Sequence, residues 1–85
     1  MDATIRSEEK FSRLSVAYEG VEEGKLVCSS VDAILARHSL TPETYTCNIS
    51  EHKNVLVVEF SDDIDREVGA IFDEILHTLN IKVID

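Results

Sequence analysis

Glu43-Thr44-Tyr45-Thr46-Cys47-Asn48-Ile49-Ser50 is the stretch on which the fold turns. Its residues alternate. Tyr45, Cys47 and Ile49 lie on one side, and Thr44, Thr46, Asn48 and Ser50 on the other. That is the period of a half-buried strand. The next run, Val55-Leu56-Val57-Val58-Glu59-Phe60, is apolar and β-branched, a composition that favours strands. Glu51-His52-Lys53-Asn54 forms a polar turn between them. Pairing Ser50 with Val55, or Glu51 with Asn54, sets one register. Ile49 then faces Leu56, Cys47 faces Val58 and Tyr45 faces Phe60. These residues are the expected core face. Thr46, Asn48, Val55 and Val57 are expected on the open face, together with Thr44, Ser50 and Glu59.

Working outward, a helix follows. Ser61 or Asp62 reads as its N-cap, and Asp62, Asp63, Asp65 and Glu67 place negative charge at the positive end of the helix dipole. Ile64, Val68, Ile71, Phe72, Ile75 and Leu79 form one stripe at helical spacing, and Leu76 widens it. Asn80 is the expected stop. Ile81-Lys82-Val83-Ile84-Asp85 reads as a short strand.

On the N-terminal side, Pro42 separates the first strand from a helix expected over about residues 22–38. Val27, Val31, Ile34, Leu35 and His38 make its stripe. Gly24 weakens its start, and a helix beginning at Ser29 or Ser30 is the alternative. Residues 7–20 read two ways. Leu14, Val16 and Tyr18 alternate as a strand does, whereas Phe11, Leu14, Tyr18 and Val21 fit a helix. Topology favours the strand. Segment 55–85 is strand, helix, strand, and a strand at 13–19 would fill the gap between its two ends. The expected fold is therefore α+β, a two-layer sandwich with the ferredoxin-like order βαββαβ. The alternative is ααββαβ with a three-stranded sheet.

The 85 residues suit a single domain, residues 1–85, too small for a large internal ligand cavity. No run approaches the ~20 apolar residues of a membrane span. Residues 1–10 are polar and include Glu8 and Glu9, unlike a signal peptide. The expected location is cytoplasmic. The formal charge is −9, from 17 acidic and 8 basic residues, and the basic ones are scattered. Phosphate backbones are held by clustered Lys and Arg, so neither nucleic acid nor an anionic membrane is an expected partner. An acidic surface suits a basic protein partner instead.

Candidate chemistry is sparse. Cys28 and Cys47 belong to no metal or redox spacing and read as reduced, buried thiols. His38, His52 and His77 lack a ligand spacing; His38 and His77 fall at helix ends, where a cation is favourable. Asp62-Asp63-Ile64-Asp65 lacks the EF-hand pattern and reads as capping. There is no Gly-rich phosphate loop, G-x-S-x-G, H-E-x-x-H or C-x-x-C. No catalytic residue, cofactor or metal is expected, and an enzyme ranks last among the functions considered. The open sheet face lacks the aromatic and basic residues that stack RNA bases. A small polar surface seeded with valines suits packing against a second sheet. The leading expectation is a homodimeric interaction module with Thr46, Asn48, Val55 and Val57 at its interface. The alternatives are a regulatory domain responsive to a small molecule and an acidic inhibitor of a basic, nucleic-acid-binding protein.

Overall fold

The computed structural model describes residues 1–8, 11–38, 42–61 and 66–83, the side chain of Arg66 excepted. The elements are β1 (Asp2–Glu8), β2 (Phe11–Glu19), α1 (Gly20–Ala36), β3 (Glu43–Asn48), β4 (Lys53–Phe60) and α2 (Arg66–Leu79). The fold is α+β: a four-stranded antiparallel sheet in the order β1-β2-β4-β3, with two helices against one face.

The ambiguous N-terminal segment is strand. Along β2, Ser12, Leu14, Val16 and Tyr18 are buried while the residues between them are half-buried. A helix there would have carried on into Val21; instead the chain turns at Gly20, whose φ of +80° is costly for residues with a Cβ. The Gly20 N–H donates to the His52 carbonyl at 3.2 Å and ties the start of α1 to the β3–β4 loop. Gly24 makes room for an aromatic ring. A Cβ there would meet Tyr18 Cε2 at 2.9 Å. The residue that weakens the local helix propensity is thus the one that lets α1 lie on β2.

β2 pairs with β4, as the topological argument requires, but β1 is an unanticipated addition. It forms a hairpin with β2 and takes the position beside it that the C-terminal segment was expected to fill. That segment is displaced outward to an isolated parallel bridge between Val83 and Ala3. Ile84 and Asp85 lie outside the described residues, as do Asp62, Asp63, Ile64 and Asp65 with their expected roles as cap, charge and stripe.

The core lies between helices and sheet. Val27, Val31 and Ile34 of α1 and Val68, Ile71, Phe72 and Ile75 of α2 pack on Leu14, Val16, Leu56, Val58 and Phe60. The rings of Phe60 and Phe72 stand tilted, 5.7 Å apart. Asn80 ends α2 as its sequence suggests. It adopts φ +54°, its N–H donates to the His77 carbonyl, and the Ile81 N–H reaches back to the Leu76 carbonyl at 2.9 Å. This is the Schellman arrangement, and the two residues whose apolar contact usually accompanies it, Leu76 and Ile81, are both buried in the core.

The β3–β4 register is not the expected one. Tyr45 lies opposite Val57, Thr46 opposite Leu56, Cys47 opposite Val55 and Asn48 opposite Asn54. Relative to expectation β3 has slid by an odd number of residues, which exchanges its faces. Tyr45 and Cys47 are on the open face, and Thr44, Thr46 and Asn48 face the helix side. The reason is coverage. α1 packs over β2 and β4, so every residue of β3 stays exposed. An uncovered helix-side position suits Thr or Asn, while Tyr45 and Cys47 lie against Val57 and Val55. The buried Cys47 of the sequence reading is therefore an exposed free thiol, Cys28 is half-buried, and Ile49 is exposed beyond the strand end.

Candidate functional site

The strand registers place residues in rows across the open face. One row, in the order β1-β2-β4-β3, is Arg6, Arg13, Glu59 and Glu43: two cations, then two anions. The next is Thr4, Ser15, Val57 and Tyr45, and the third is Asp2, Ala17, Val55 and Cys47. Arg13 is the centre of the charged row. Its Nε donates to Glu59 Oε2 at 2.8 Å, and its guanidinium lies 5.1 Å from the centre of the Phe11 ring. The hydrogen bond from Arg13 to Glu59 raises the Arg13 pKa above its usual value. Tyr45 Oη donates to the same Glu59 carboxylate at 3.4 Å. Glu59, which would be costly to cover unpaired, has its partners within the face.

The face has relief as well as charge. Tyr45 stands 42% exposed on the β3 side. On the β1 side the small Ser15 and Ala17 leave a shallow depression of about 90 Å³, bordered by Asp2, Thr4 and Val55. Val57 is nearly covered by its own neighbours at 6% exposure, so it forms the floor, and Val55 is the accessible apolar residue of β4.

Of the residues singled out from sequence, Val55 and Val57 lie together on the open face, as expected. Thr46 and Asn48 do not join them; the register turns both to the other side of β3, where the Asn48 amide donates to Asn54 Oδ1 at 2.9 Å. Arg6, Arg13, Glu43 and Tyr45 were missed. Once residues 11–19 are strand, Arg13 and Glu59 fall on one face by alternation, and an acid among valines is itself a signal to look for a cation.

The chain matches no protein-family model, no curated protein and no solved structure. Its function must be read from its own geometry.

A second polar cluster lies where the helices meet. His38 Nδ1 is 2.8 Å from Glu67 Oε1, and Nε2 is 3.4 Å from Glu74 Oε2. Arg37 also pairs with Glu74. The hydrogen bond to Glu67, and then that to Glu74, raise the His38 pKa. His38 lies past the end of α1 and not in its last turn, which holds no basic residue. It joins the end of α1 to α2, and both ring nitrogens are taken up by carboxylates. His77 remains in the last turn of α2. No described helix is long and apolar enough to cross a membrane.

Proposed function

We propose that this protein is a self-association module whose open sheet faces pack together about a two-fold axis. One observation carries the reading: the face is complementary to itself. A two-fold axis parallel to the strands, running between β2 and β4, sets β1 over the partner's β3 and β2 over the partner's β4. Arg6 then meets the partner's Glu43. The Arg13–Glu59 pair meets its own inverted copy, plus against minus. Tyr45 comes down over the partner's Thr4, beside the depression at Ser15 and Ala17. Small side chains there let the sheets approach to the ~10 Å of packed sheets.

The framework that presents this face reads as ferredoxin-like with an added strand. β2, α1, β3, β4, α2 and the Val83 bridge follow the order βαββαβ, β2 and β3 run parallel on either side of β4, and β1 occupies the place of the last strand. An N-terminal hairpin widens the sheet on the side that carries Arg6, which the charge pattern uses.

Sedimentation velocity tests the reading. The parent protein sediments as a dimer. Arg6→Glu opposes the partner's Glu43 and yields a folded monomer, as does Glu43→Arg. The double charge exchange restores the dimer, because each cation again meets an anion. A parent protein that stays monomeric at high concentration defeats the proposal, as does a double exchange that fails to recover association lost in both single variants.

A further inference from the structure

We infer that the outer edge of β3 is a separate binding site, which takes an extended, cationic segment of a partner protein as an added strand. Among the described residues β3 pairs on one side only, with β4. The Ile49 N–H donates to the Lys53 carbonyl at 2.9 Å. By the alternation of an antiparallel ladder, Tyr45 and Cys47 direct their N–H groups to β4, and Thr44, Thr46 and Asn48 direct theirs outward. Among the described residues these outward groups have no backbone partner. At the opposite edge of the sheet Ala3 of β1 pairs with Val83 in an isolated bridge.

Edge strands that must stay unpaired are blunted by lysine, proline or a bulge. β3 has none of these: its sequence is Glu-Thr-Tyr-Thr-Cys-Asn, and its ladder with β4 runs unbroken from Glu43 to Asn48. Beside it lies a groove of about 210 Å³ between α1 and β3, lined by Cys28, Val31, Asp32, Thr44, Thr46 and Leu56. An added strand points alternate side chains into this groove, over Val31 and Leu56, and the remainder beside Glu43 on the open face.

The charges select the occupant. Asp32 borders the groove, Glu43 stands on the other side of the strand, β3 carries no cation, and the chain as a whole has a charge of −9. A segment alternating apolar and cationic residues matches both sides. A second copy of β3 does not, because it brings another Glu43 and Asp32 to the same edge. The edge shares Glu43 with the face proposed for self-association, but its outward N–H groups and Asp32 lie outside that face, so hydrogen exchange at the edge and sedimentation test the two separately.

The test uses the full chain and a blocked eight-residue peptide of alternating Val and Lys, with alternating Val and Glu as control. The Val-Lys peptide binds and slows hydrogen exchange at the amides of Thr44, Thr46 and Asn48, while the Val-Glu peptide does not bind. Thr46→Pro removes one outward N–H and leaves the bonds to β4, so the peptide binds about tenfold more weakly or not at all. A Val-Lys peptide N-methylated at alternate residues loses binding in the same way and leaves the protein unchanged, which covers the case of a variant that does not fold. Asp32→Lys weakens binding as well. Equal binding of the two peptides, undiminished binding by the methylated peptide, or no binding of either overturns the inference.

Discussion

The centre of the sheet and its β3 edge obey different rules, although β3 and β4 are hydrogen-bonded neighbours. β4 is apolar on both faces. Leu56, Val58 and Phe60 meet the helices, and Val55 and Val57 meet the open side. β3 has one apolar set and one polar set, and every residue of it is exposed. In the centre, burial under a helix decides the face. At the edge no described helix covers the strand, and the apolar set goes where it shields a neighbour. The lesson is that alternation in an edge strand shows that its faces differ but does not say which one looks inward.

The contrast predicts a ranking of substitutions. Phe60→Ala removes a buried ring from the helix-covered centre and its contact with Phe72, and should cost roughly 3–5 kcal/mol in urea denaturation. Tyr45→Ala, on the exposed edge, should cost about 1 kcal/mol through lost cover over Val57 and its weak bond to Glu59. Equal losses for the two would break the distinction between centre and edge.

His38 tests the helix-covered half by pH. Its pKa is raised in the folded protein from the ordinary 6.5, first by Glu67 and then by Glu74. Its contribution is therefore complete below the ordinary value and disappears as pH rises through the raised one. The gap in urea midpoint between the parent and His38→Gln should be larger at about pH 6 than at about pH 8. A gap independent of pH would mean that the charge on His38 does not hold the helices together. Thr46→Ala is the smallest change. On the exposed helix side of β3 it should stay within about 0.5 kcal/mol of the parent.

Legibility follows from how many alternatives each segment allowed. α2 was readable because its stripe can face only one way and Asn80 marks its end. α1 was readable for the same reason, and Gly24, a weak point in local helix propensity, is the place where Tyr18 packs against it. The β3 register was not readable. Because β4 is apolar on both faces, either set of β3 finds apolar partners, and only the position of α1 decides between them. β1 gave little signal: in Asp2–Glu8 only Ala3 and Ile5 are apolar, and its pairing depends on β2 being a strand. The site was half legible for the same reason. Val55 and Val57 follow from β4 alone, but Arg6, Arg13 and Tyr45 need the two registers that the sequence left open.

The register of β3 on β4 is the central claim, and backbone NMR tests it most directly. In an antiparallel ladder the pairs that exchange no hydrogen bonds bring their Hα atoms closest. With Ile49 bonded to Lys53, those pairs include Thr44 with Val58 and Thr46 with Leu56. Strong Hα–Hα cross-peaks between these two pairs are the predicted result. Cross-peaks joining Cys47 to Val58 or Tyr45 to Phe60 would contradict it, since they would return Tyr45 and Cys47 to the helix side and dissolve the open face described above.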